Sequence, residues 1–112
     1  MIWTSWNNGK HLHSGAGYGF KISKSDREKY FNKAWQNVKL ELMNGANKIT
    51  IEANTDKKSF WAQKCGELIS KDIGIWLYKK GMGKGPRRKP YKVNVTIIGN
   101  GVFRIEETEI AS

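Results

Sequence analysis

An alternating apolar pattern on both sides of an Asn-Gly step is the feature of this chain that most restricts its fold. Val38, Leu40 and Leu42 alternate with Asn37, Lys39, Glu41 and Met43. After Asn44-Gly45, Ile49, Ile51 and Ala53 alternate with Lys48, Thr50 and Glu52. Period two sends successive side chains to opposite faces of a strand, and Asn-Gly most readily supplies the positive φ angles of a tight hairpin. Residues 37–53 therefore predict an antiparallel pair with one buried and one wet face, at the centre of the fold. Downstream the period changes. Trp61, Cys65, Leu68, Ile69, Ile73, Trp76 and Leu77 recur at three- and four-residue steps. That spacing predicts one long helix, with Ile69, Ile73 and Trp76 covering the hairpin.

The remaining elements are shorter. Ile2, Trp3 and Trp6 open a first strand, with Trp3 expected in the core and Trp6 at the rim. Residues 7–17 are rich in Gly, Asn and Ser and form a loop. Tyr18, Phe20 and Ile22 alternate with Gly19, Lys21 and Ser23 in a second strand. Gly15, Gly17 and Gly19 precede a strand, so they lack the helix dipole of a dinucleotide-binding loop. Close backbone approach is their expected role. Ser25 with Glu28 reads as the capping box of a short helix at about residues 26–33, with Tyr30, Phe31 and Ala34 turned inward. Gly81 ends the long helix, residues 81–90 form a basic connector, and residues 91–107 make a second hairpin turning at Gly99-Asn100-Gly101.

The length, 112 residues, suits a single domain over residues 1–112. A chain of this size buries roughly 60–70% of its unfolded surface, enough for one core. The lone Cys65 rules out an intrachain disulfide and, on the apolar stripe, reads as an inert buried thiol. No apolar run reaches the ~18 residues of a membrane span, and Met1–Trp6 lacks the pattern of a signal peptide. The predicted location is the cytoplasm, with no membrane partner. Net charge is +10, with Lys84, Arg87, Arg88, Lys89 and Lys92 crowded together and Glu106, Glu107 and Glu109 gathered near the end. A small domain this basic points toward phosphate backbones.

The predicted order is strand, strand, short helix, two strands, long helix, two strands. That is an α+β fold: a small, partly open antiparallel β-barrel with one short and one long helix. The layout resembles the DNA-binding pseudobarrel, the B3-like superfamily of plant transcription-factor domains and restriction-enzyme recognition domains. Phe20-Lys21-Ile22-Ser23-Lys24 followed by Arg27-Glu28-Lys29-Tyr30-Phe31 carries one local match. Met43-Asn44-Gly45, then Ser59-Phe60-Trp61 and residues 66–80, carry the other. Ser23 stands where the family usually has Pro, and Gly83 to Lys89 replaces its usual Gly-Asp turn.

The resemblance implies a wrench-like grip on duplex DNA, with two loop arms in the major groove. By position the arms are residues 7–17 and 54–61. Their residues suit that task. Asn7, Asn8, Lys10, His11 and His13 occupy the first arm; Asn54, Thr55, Asp56, Lys57, Lys58 and Ser59 occupy the second. Lys bonds guanine, Asn bonds adenine and Asp accepts from cytosine. Lys21, Lys24, Arg27, Arg87 and Arg88 are expected to grip phosphates. The two arms are expected side by side on one rim.

Other classes compete. RNA binding by aromatic stacking is close to the first reading. A ribonuclease using His11 or His13 as general base, with Lys10 at the phosphate, is the enzyme alternative. A protein-interaction module accepting a strand at the edge of residues 91–107 is another. His11-x-His13 has no nearby Cys or third ligand for zinc, and no acidic pair shares a motif with a Lys. No catalytic residue, metal or cofactor is therefore predicted, and the oligomeric state is open.

Overall fold

A computed structural model of the chain describes residues 1–7, 17–62, 64–80 and 91–107. Seven strands form one curled sheet: β1 Ile2–Asn7, β2 Tyr18–Ser23, β3 Asn37–Asn44, β4 Asn47–Asn54, β5 Cys65–Ile69, β6 Lys92–Gly99 and β7 Val102–Glu107. The helical parts are α1 Lys24–Tyr30, a single turn α2 Lys58–Trp61, and α3 Lys71–Lys79. The strand order is β4-β3-β7-β6-β1-β2-β5. The margins β4 and β5 curl toward one another without strand pairing, giving a half-barrel. No helix among the described residues is long and apolar enough to cross a membrane.

The period-two segments become strands. β2 matches its predicted span, and Tyr18, Phe20 and Ile22 are buried. Val38, Leu40, Leu42, Ile51 and Ala53 face the core from the hairpin, whose turn residues are Gly45 and Ala46, with Gly45 at φ 63°. The hairpin itself lies at the margin rather than at the centre. The sheet is also mixed. β3 runs parallel to β7, with Leu40 beside Phe103 and Leu42 beside Ile105. A parallel pair needs a long crossover, which leaves no local periodic trace in the sequence. Gly19 serves the close approach expected of it, since a Cβ there would collide with the Leu68 carbonyl oxygen.

The predicted long helix is replaced by α2, β5 and α3. Over residues 65–69 the true period is two: Gly66 and Leu68 point inward, while Cys65, Glu67 and Ile69 lie on the outer side. Gly in a helix interior costs about 1 kcal/mol relative to Ala, whereas this strand uses its small size. Ser70 Oγ then accepts the Asp72 N–H at 3.1 Å and starts α3 afresh. Ile73, Trp76 and Leu77 are buried by α3, and Trp76 Nε1 donates to the Met43 carbonyl at 2.9 Å. Ile69 is 42% exposed and does not join them. Cys65 is half-buried on β5 rather than buried on a helix.

Helix α1 also starts earlier than predicted. Ser23, not Ser25, is its cap, and Ser23 Oγ accepts the Asp26 N–H at 3.2 Å. The Phe31 N–H donates to the Arg27 carbonyl and closes the helix. Phe31 packs inward, but Ala34 is exposed. Near the end of β6 a bulge between Ile97 and Gly99 breaks the alternation and leaves Ile97 and Ile98 outside.

On the outer side of β3, Glu41 accepts from Lys48 Nζ at 3.1 Å and from Arg104 Nε and Nη2 at 3.3 and 3.2 Å. The Lys48 bond, helped by Arg104 and opposed by burial, holds the Glu41 carboxyl below the usual carboxylate range. A depressed carboxyl stabilises the fold above its unfolded pKa and loses that contribution as pH falls through the folded value. Glu41→Gln should therefore lower the thermal midpoint at neutral pH, and the gap should narrow progressively as the pH falls below the ordinary carboxylate range of about 4. A gap equally wide at neutral and at acid pH would show that these bonds do not stabilise the sheet.

Candidate nucleic-acid interface

One corner of the molecule joins α1 to α2. Spacing of three and four residues puts Lys24, Arg27 and Glu28 on the face of α1 that meets α2. Arg27 is only 3% exposed, and its Nη1 donates to the Phe60 carbonyl at 2.8 Å. Its guanidinium carbon lies 5.8 Å from the centre of the Trp61 ring, and Lys33 Nζ lies 5.5 Å from it. Phe60 is fully buried and meets Trp61 edge-on at 5.2 Å between ring centres. Trp61 stays half-buried at the surface. Beside it an open cleft of about 360 Å³ is lined by Lys24, Arg27, Glu28, Trp61, Ala62 and Lys64.

This corner depends on Gly66. A Cβ there would stand 2.9 Å from Phe60 Cε1 and 3.3 Å from Arg27 Cδ. Both neighbours are buried, so neither can yield cheaply. Gly66→Ala should cost about 1–3 kcal/mol by overpacking and should alter the tryptophan fluorescence, to which Trp61 contributes with four other tryptophans. A urea midpoint and a spectrum matching the parent would show that Phe60 moves freely.

In the second arm, Asn54 and Thr55 make bonds within the fold. Asn54 Oδ1 accepts the Asp56 N–H at 2.9 Å, a local turn bond. The Asn54 carboxamide oxygen, expected to read bases, is thereby engaged. Thr55 is fully buried, and its hydroxyl donates to the Trp35 carbonyl at 3.3 Å. It cannot reach a base from there, which corrects its predicted role. Arg27 is corrected likewise: its burial against Phe60 makes it a support for Trp61 rather than a phosphate grip. Lys58 is exposed. Lys57 is partly buried; desolvation lowers its pKa below the ordinary lysine value, while the Glu67 charge pulls it up. The Ser59 side chain lies outside the described residues.

Lys24 is exposed and Lys21 half-buried, with Lys21 opposite Glu67 on β5. Asn8, Lys10, His11, His13, Arg87 and Arg88 lie outside the described residues, as does the side chain of Asn7. The strand ends that hold the arms are described. Asn7 pairs with Tyr18 at one end of β2, whereas residues 54–64 hand over to Cys65, opposite Ser23 at the other end. The arms are anchored at opposite ends of β2 and not at equivalent ends, because β1 and β5 flank β2 in antiparallel fashion.

Lys33 and Lys64 join this corner without having been singled out from the sequence. Each lies two or three residues after an aromatic pair, Tyr30-Phe31 and Phe60-Trp61, but only the α1–α2 contact brings both to the Trp61 ring and its cleft. No family model matches the chain, and neither does any curated protein or solved structure.

Proposed function

We propose that this chain is a nucleic-acid-binding module that reads duplex DNA in the major groove through the two loop arms. The observation that carries this reading is the corner at Trp61. Lys24 and Lys64 line its cleft, Lys33 lies over its ring, and the chain as a whole carries +10. Exposed lysines converging on one cleft suit phosphates, which fix register without reading sequence. A relationship to the DNA-binding pseudobarrel, B3-like superfamily is part of the same proposal. The curled sheet with helical parts between β2 and β3 and between β4 and β6 supports it.

The arm anchors change the form of the grip. Five residue steps along β2 span about 17 Å, wider than the ~12 Å major groove. Arms rising from those points would enter the groove at separate positions along its length rather than side by side. RNA is the second reading, because the partly exposed indole of Trp61 is the kind of surface on which unpaired bases stack.

Selection from a random duplex library, run beside a single-stranded RNA pool, tests the proposal. The expected result is an enriched duplex motif, with Asn8→Ala relaxing preference at one base position by about 1–3 kcal/mol. Enrichment from the RNA pool alone would favour the second reading. We also propose a binding role without catalysis: labelled RNA should stay intact beside the parent protein. Cleavage that disappears in His11→Ala would replace this reading with a ribonuclease.

A further inference from the structure

β4 is a marginal strand, and among the described residues it pairs only with β3. A two-residue hairpin is closed by a pair that exchanges both backbone hydrogen bonds, here Asn44 and Asn47. Such pairs alternate along the ladder. The backbone groups of Asn47, Ile49, Ile51 and Ala53 therefore point at β3, and those of Lys48, Thr50 and Glu52 point away from the sheet. Asn47, Lys48, Ile49 and Thr50 are all exposed, and Ile49 keeps 48% of its surface although it lies on the inward side. Ile49, Thr50 and Ile51 are β-branched, and β4 contains no proline. An edge of this kind is a template for another strand.

We propose that this edge pairs antiparallel with β4 of a second copy of the chain, about a twofold axis at Thr50. The charge pattern selects that occupant and that register. Lys48 and Glu52 flank Thr50 symmetrically. About an axis at Thr50, Lys48 faces Glu52 of the second copy and Glu52 faces its Lys48. Ile49 then faces Ile51 of the second copy on the inward side. The outward-pointing backbone groups of Lys48, Thr50 and Glu52 all fall in hydrogen-bonded pairs. Axes at Lys48 or at Glu52 place like charges directly opposite, which is unfavourable. A slip of one residue between the strands turns the apolar set to the wrong face.

Neighbouring charges leave the pair free to form. Lys48 is held by Glu41 at 3.1 Å, yet its side chain is 51% exposed. Glu52 lies opposite Lys39 and is itself exposed. Each edge charge thus keeps surface to offer across the axis.

Sedimentation of the full chain over a concentration series tests the proposal. The expected result is a dimer fraction that rises with concentration. Thr50→Pro removes an N–H that points away from β3, so the hairpin keeps its own bonds. It should weaken association by about tenfold or more, since both copies lose an edge bond. Lys48→Glu and Glu52→Lys should each weaken it as well. The double exchange should restore it, although the contacts to Glu41 and Lys39 stay unfavourable within each copy. Circular dichroism and a melting curve confirm that each variant is folded; one that is not is replaced by Thr50→Lys. A chain that stays monomeric up to about 1 mM overturns the proposal. So does a dimer indifferent to Thr50→Pro, or a double exchange as weak as either single change.

Discussion

Trp3→Ala should remove about 3–5 kcal/mol of folding stability, the largest single loss expected in this chain. Trp3 is fully buried on β1, and its ring centre lies 6.0 Å from Phe20, 5.9 Å from Phe31 and 5.3 Å from Phe103. Those partners come from β2, the end of α1 and β7, so one side chain ties three parts of the half-barrel. Natural domains hold roughly 5–15 kcal/mol in all, so the loss removes a large fraction of the total. The cavity would be lined by aromatic rings that cannot collapse to fill it. Trp3 Nε1 is also buried with no hydrogen-bond partner among the described residues. Trp3→Phe abolishes that unpaired donor, whose burial costs about 1–3 kcal/mol, and should lose much less than Trp3→Ala. Urea unfolding followed by circular dichroism separates the two. A loss under about 1 kcal/mol for Trp3→Ala would mean that the aromatic cluster is not the centre of the core.

Lys24, Lys58 and Lys64 replaced together by Ala should cost about 10²–10³-fold in affinity for nucleic acid near 0.1 M salt. Each phosphate contact releases counterions and contributes about 0.9 to the slope of log affinity against log salt, so three contacts contribute nearly three decades at that salt. All three side chains stand exposed around α1 and α2. Their loss should leave the core intact, so the melting temperature serves as the control. The weakening should be uniform across sequences, since phosphates carry no base identity. A variant that binds as the parent does would move the interface away from Trp61.

Local rules carried much of the fold. Tyr18–Ser23, the 37–53 pair and the second hairpin followed from alternation, because each strand buries one face only. The error over residues 65–69 has a definite cause. Leu68, Ile73, Trp76 and Leu77 are all buried, and their spacing satisfies a helical stripe, yet Leu68 reaches the core from a strand. The reason Gly66 must be small is Phe60, which the strand period alone does not reveal. The β3–β7 pairing was hidden for the same reason, since nothing near either strand announces its distant neighbour.

The site was legible as composition and only partly as geometry. Arg27 sits in a charged helix and reads as a surface cation, but a carbonyl 33 residues away draws it inward. Thr55 reads as a loop hydroxyl, but the Trp35 carbonyl takes it into the core. The lysines that do converge, Lys24, Lys33 and Lys64, are unremarkable one by one in a chain with twenty Lys and Arg. Burial decides which charges can serve a ligand, and burial is a property of the whole fold.

On the proposed reading, this basic surface binds a phosphate backbone. Fluorescence anisotropy of a labelled duplex, titrated with the full chain at a series of salt concentrations, tests it most directly. With roughly 4–6 phosphates neutralised, log affinity should fall against log salt with a slope of about −4 to −5. A labelled RNA strand of equal length, run in parallel, distinguishes the two nucleic-acid readings. Absence of binding, or a flat line with salt on both ligands, would rule out phosphate-backbone binding by this surface.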